Sequence, residues 1–338
     1  MFHRALLVLE PDNPPDALIQ SGLAMARACH AEVVFCTAMT RTRFAVADLR
    51  DPKVAAPGSS QDDQRFPAEL LHAQARQLAD RQGVSSRSVT ATGNDPVRSI
   101  IDAALVSNCD LIVVASEKSN AFVRLVNGSF MPGLVTASPV PVMVCARQPR
   151  QGSALSADTH RILVLLEDSD TVDAARALGT GLAQALRSQL LFAHVMPAAL
   201  GPVVDAAGMV STVDDRLGAE IQLQSQRLLA STCRIAARSG LTSRSKSLAA
   251  GMTAREIAHM ALDEACDLIV LAHRGGNAVM RLLTGSRIPG LITAAPVPIL
   301  ICRAASDPPK PSTPRRRLRR HRGAAAAAAA HAAHMHAR

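Results

Sequence analysis

The sequence predicts an α/β fold made of two tandem Rossmann-like domains, each a five-stranded parallel sheet with helices on both faces. Three observations carry that expectation. Residues 109–145 and 266–302 align without a gap at a shift of 157 positions, with 21 identities in 37. Within each copy, short continuous aliphatic runs alternate with helix-length segments of spaced apolar residues. The 338 residues suffice for about two domains of ordinary size.

The same shift of 157 places Arg4-Ala5-Leu6-Leu7-Val8-Leu9-Glu10 on Arg161-Ile162-Leu163-Val164-Leu165-Leu166-Glu167, so the duplicated unit is a whole domain and not a short repeat. The expected boundaries are a first domain over 1–147, a linker over 148–159, a second domain over 160–303 and a tail over 304–338. The linker is small and polar, with Pro149 and Gly152. In the first copy, residues 5–9, 33–36, 111–115 and 140–145 read as strands buried on both faces. Helices are expected over 16–29, 68–81 and 96–106. Residues 41–64, and 201–214 in the second copy, read as long irregular loops over one end of the sheet. Gly22 and Gly179 occupy matching positions in the first helix of each copy and read as close-packing sites.

Composition narrows the function. Trp and Tyr are absent and Phe occurs seven times, so the core is aliphatic and base stacking on aromatic side chains is an unsuitable mode of action. No apolar run reaches the ~20 residues of a membrane span, and Met1-Phe2-His3-Arg4 leads directly into a strand and not into a signal sequence. A cytoplasmic, soluble protein is the expectation. The net charge of +9 is concentrated in residues 303–338, which carry eight Arg and one Lys against one Asp. Residues 1–302 hold 28 basic and 27 acidic side chains. A dedicated nucleic-acid reader is therefore disfavoured, and weak phosphate contact through the basic tail is the remaining route. That tail, with its Ala run and His331, His334 and His336, has nothing to bury and reads as disordered. Seven Cys without a C-x-x-C pair, most of them in apolar runs, read as reduced buried thiols and not as a metal site.

In sheets of this kind, ligands sit at the carboxyl ends of the strands, where strand order reverses. The informative segment there is Ala272-His273-Arg274-Gly275, nine residues, then Gly285-Ser286, following the apolar run 268–271. Glycine permits close approach of the backbone to a phosphate, and amides at a helix start point toward an anion. Ser129 and Ser286 also suit helix capping, with Pro132 and Pro289 tolerated in the first turn. His273 reads either as a phosphate contact or as a solvated loop residue. His194, near a strand end, reads as structural.

This segment, the acidic residues Glu10 and Glu167 after the first strands, the Asp-Leu-Ile-Val runs at 110–113 and 267–270 and the Pro-Val-Pro runs at 139–141 and 296–298 resemble the universal stress protein family. The resemblance covers both copies nearly end to end. It implies an adenine-nucleotide-hydrolase-like fold and a stress-response regulator or adaptor that binds ATP or a related adenine nucleotide. By this resemblance Gly275, Gly285 and Ser286 cradle phosphates, with Ala272, His273 and Arg274 in the same loop. Glu167 approaches the adenosine and Val195 lies beside the adenine. The first copy carries the counterparts Glu10, Ala115, Lys118, Gly128 and Ser129, and Lys118 replaces a glycine, which marks that site as degenerate. Ala272 and Ala115 stand where nucleotide-binding members have Gly, and Glu167 and Glu10 where they have Asp. No second carboxylate is obviously placed to hold Mg2+ or to activate water, so no committed catalysis is expected.

The last strand of each copy, 139–145 and 296–302, leaves an exposed apolar edge. In the resembling family this strand pairs across a two-fold axis. With both copies on one chain, the expectation is intramolecular pairing and a pseudo-two-fold tandem, with further homo-oligomerisation left open. A nucleotide-free scaffold acting by protein association is the competing functional reading, favoured by Ala272 and Lys118.

Overall fold

A computed structural model describes residues 1–10, 16–40, 61–116, 130–146, 155, 159–167, 169–196, 203–204, 210–211, 215–249, 251–274 and 288–304. The expected loop cores, the phosphate-loop residues Lys118, Gly128, Ser129, Gly275, Gly285 and Ser286, and the tail lie outside them.

The first half runs β1 (Arg4–Leu9), α1 (Asp16–Cys29), β2 (Glu32–Thr40), α2 (Gln61–Arg81), β3 (Ser86–Gly93), α3 (Pro96–Val106), β4 (Leu111–Ala115), α4 (Phe130–Ala137) and β5 (Val142–Cys145). The second runs β6 (Arg161–Leu166), α5 (Ser169–Leu186), β7 (Gln189–Val195), β8 (Val203–Val204), β9 (Val210–Ser211), α6 (Asp215–Arg238), β10 (Ser243–Leu248), α7 (Ala254–Asp263), β11 (Leu268–Arg274), α8 (Ile288–Ala294) and β12 (Ile299–Ala304). Helix α2 begins at Gln61, so the end of the expected loop 41–64 is helical. Within 201–214, β8 and β9 form a short antiparallel ladder where an irregular loop was expected.

Ten strands form one sheet in the order β10-β7-β6-β11-β12-β5-β4-β1-β2-β3. Every pairing in it is parallel except that of β12 with β5, which places Ile299, Leu300 and Ile301 opposite Val144, Met143 and Val142. The two halves thus join through their last strands into a continuous sheet. Two apolar cores result, one on each face, and both draw residues from both halves. One lies under α1, α2, α5 and α6; the other lies under α3, α4, α7 and α8.

The duplication is visible in the details that hold the strands in register. The Asp110 carboxylate accepts the backbone N–H groups of His3 at 2.8 Å and Arg4 at 3.0 Å, tying the start of β1 to the start of β4. Asp267 does the same for His160 at 2.7 Å and Arg161 at 3.0 Å. Partial burial raises the Asp110 pKa, but the amides of Arg4 and His3 and the His3 ring outweigh it and hold the carboxyl below its usual range. The Arg4 guanidinium donates to the Ser107 carbonyl at 2.8 Å, and Arg161 donates to the Glu264 carbonyl in the matching place. These clamps fix the amino ends of the central strands and leave their carboxyl ends to the site. Above them the helices lie close on the sheet: a Cβ at Gly22 would fall 2.5 Å from Leu7 Cδ2, and one at Gly179 2.4 Å from Val164 Cγ2. Both glycines are the close-packing points expected from the sequence.

The segment between the halves is more than a polar spacer. Leu155 is 1% exposed and belongs to the core that spans both halves. Its backbone N–H donates to the hydroxyl of the buried Ser21 at 3.1 Å, which docks this point of the segment onto α1.

Candidate functional site

In the second half, β6 and β11 are neighbours, yet the chain leaves β6 toward β7 and leaves β11 toward β12 on the opposite side. Their carboxyl ends therefore meet at the point where strand order reverses, the place at which sheets of this kind open a ligand crevice. Glu167 follows β6 and is half-buried; Ala272, His273 and Arg274 are the last residues of β11. Val195 ends β7, the next strand outward. The corresponding place in the first half is formed by Glu10 after β1 and Ala115 at the end of β4.

Ala272 and Ala115 are buried in the core beneath the first helices and lie opposite Cys302 and Cys145 in register. Their methyl groups are thus part of the packing at the carboxyl ends of β11 and β4. Val195 is also buried, but its side chain belongs to the core on the other face.

His273 is not a solvated loop residue. It lies within β11, is 7% exposed and pairs in register with Arg303, because β11 and β12 continue together to Arg274 and Ala304. Its Nδ1 is 3.1 Å from the Arg274 carbonyl oxygen. Burial pushes the imidazole pKa below its usual value, aided by Arg303, while the Arg274 and Val135 carbonyls partly oppose this. Contact with Val135 of α4 ties this strand end to the first half.

Arg274 points outward. Its guanidinium Nη2 is 3.0 Å from Asp170 Oδ2, with both side chains substantially exposed. Asp170 sits in the first turn of α5, so the pair links the two sides of the crevice. Deeper in the same half, His194 Nδ1 is 2.8 Å from Ser225 Oγ, which is 3.1 Å from Ser247 Oγ. This chain joins β7, α6 and β10, and burial holds the His194 pKa below its usual value.

Sequence reasoning did not single out Asp170. The available signal was the duplication: positions 170 and 274 are Asp and Arg, whereas the matching positions 13 and 117 are Asn and Glu.

Other reactive groups are disposed differently. All seven cysteines are free, and five are buried. Burial pushes Cys36, Cys145 and Cys266 up to about 12, which keeps these thiols protonated near neutrality. Among the described residues, no group of three His, Cys, Asp or Glu side chains could hold a metal ion. A separate concavity of about 510 Å³ lies at the edge strand β3, with Thr92, Asp95, Arg98 and Asp102 in its wall. Its charges are used locally: Asp95 caps α3 by accepting the Val97 N–H at 2.9 Å, and Arg98 pairs with Asp102 at 3.6 Å.

The sequence model of the universal stress protein family matches residues 1–146 and 159–303. The chain belongs to that family. No curated protein matches the sequence. Among solved structures, the tandem of universal stress domains is similar to a universal stress protein from Archaeoglobus fulgidus, with 18% identity, a TM-score of 0.65, and coverage of 90% of this chain and 97% of that one. It is also similar to a functionally unknown protein from Pseudomonas aeruginosa, at 14% identity and a TM-score of 0.54, covering 90% of this chain and 93% of that one. At these identities the likeness bears on the fold. Within the described residues, no helix of this universal stress protein is long and apolar enough to cross a membrane.

Proposed function

We propose that the second universal stress domain binds ATP or a related adenine nucleotide in the crevice between β6 and β11, and that occupancy alters the surface presented to partner proteins in a stress response. The observation that carries this reading is the convergence of Glu167, the end of β11 and the start of α5 at the point where strand order reverses. The residues immediately after β11 supply Gly275 and, after nine intervening residues, Gly285 and Ser286, a spacing suited to a backbone cradle for phosphate. Glu167 would accept from the hydroxyls of the ribose. The reading involves population shift without turnover, since it assigns no residue to activate water. The first domain, with Lys118 in the glycine position, would contribute structure and association.

The test has two parts. Purified protein is denatured and any released nucleotide is identified; ATP is then titrated by calorimetry into the wild type and Gly275→Asp. The expected result is saturable binding in the wild type and at least about tenfold weaker binding in the variant, where a carboxylate faces the phosphates. No released nucleotide and no heat in either protein would favour the nucleotide-free scaffold, a reading supported by the buried methyl of Ala272.

A further inference from the structure

We infer that the Arg274–Asp170 ion pair is a phosphate-displaceable latch across the crevice of the second domain, so that the site selects ligands by phosphate charge. The inference rests on the nucleotide reading and assigns a role to two residues within it. The guanidinium of Arg274 stands at the end of β11, one residue before Gly275, and meets Asp170 at 3.0 Å from the other side of the crevice. A guanidinium fork accepts a phosphate in the same geometry as a carboxylate, so the two anions compete for one cation.

The pair is built to yield. Both partners are substantially exposed, and an ion pair in that setting is weak. Asp170 also lies in the first turn of α5, where the helix amino end favours a negative charge, and its carboxylate accepts from the Ser169 hydroxyl at 3.0 Å. It therefore keeps favourable partners when Arg274 turns to a ligand. A polyphosphate brings enough charge to displace one carboxylate, whereas an uncharged nucleoside does not. The latch is confined to the copy with the intact glycine spacing. At the matching positions the first copy has Asn13 and Glu117, which cannot form an ion pair. Displacement would also release the start of α5 from the end of β11, coupling phosphate occupancy to the first turn of a helix.

The test is a double-mutant cycle read by calorimetry with ATP and adenosine on the wild type, Asp170→Asn, Arg274→Gln and the double variant. Removing the competitor in Asp170→Asn is expected to tighten ATP binding roughly threefold. Arg274→Gln is expected to weaken it about tenfold or more. In the Arg274→Gln background, Asp170→Asn should have no effect, and adenosine should bind all four proteins alike. ATP binding that is unchanged by Asp170→Asn, or raised equally in both backgrounds, would overturn the latch while leaving the nucleotide reading intact. An adenosine response as large as that of ATP would also overturn it. Failure of both ligands to bind any of the four proteins would overturn the nucleotide reading and the latch together.

Discussion

Leu300→Ala is expected to destabilise the folded chain by about 2 to 5 kcal/mol, because the residue is fully buried at the seam between the halves and truncation leaves a cavity. Leu300 lies directly opposite Met143 in the antiparallel pairing of β12 with β5, and Met143 is also fully buried. The effect should therefore be shared across the seam. Met143→Ala should show a coupling of about 0.5 to 3 kcal/mol with Leu300→Ala in a double-mutant cycle measured by urea unfolding. Each of the two cores contains residues from both halves, so spectroscopic probes placed in either half should report the same shift in midpoint. Loss of stability confined to the second half would mean that the seam is only a contact between independently folding units.

Leu155→Ala is expected to cost about 2 to 5 kcal/mol, although the residue falls in a segment whose composition is that of a linker. Its side chain is 1% exposed, and its N–H donates to Ser21, which is itself fully buried. The Ser21 hydroxyl also opposes the rise in pKa that burial imposes on the Cys145 thiol. Ser21→Ala would strip the buried Leu155 N–H of its partner and should cost ~1 to 3 kcal/mol. Midpoints from urea unfolding decide the matter. A change below ~0.5 kcal/mol for Leu155→Ala would return the segment to the status of a passive tether.

Much of the fold was legible because its central strands are buried on both faces and announce themselves as continuous aliphatic runs. Residues 111–115 form β4 as read, and α1 and α3 have the expected bounds. The edge strands did not announce themselves. β3 is Ser-Arg-Ser-Val-Thr-Ala-Thr-Gly and β10 is Ser-Arg-Ser-Lys-Ser-Leu, sequences shaped by solvent on one edge and not by a core. The seam between the halves was expected from the apolar edge of 139–145 and 296–302, and the pairing uses Val142, Met143 and Val144 with Ile299, Leu300 and Ile301. At the candidate site, Glu167 follows β6 and Glu10 follows β1 as read, while the glycines of the spacing lie outside the described residues. His273 was harder to place, since its burial depends on β11 and β12 extending together past their apolar stretches. Asp170 was illegible for a related reason: its partner Arg274 is 104 positions away, and only the strand order brings them together.

Hydrogen exchange with and without ATP tests the central claim most directly, namely that one sheet carries two unequal sites and that the second domain alone keeps a working one. Added protection is expected at the end of β11, at residues 272–274, with no change at the end of β4 or after β1. Equal protection in both halves, protection confined to the first half, or none in either would contradict the account.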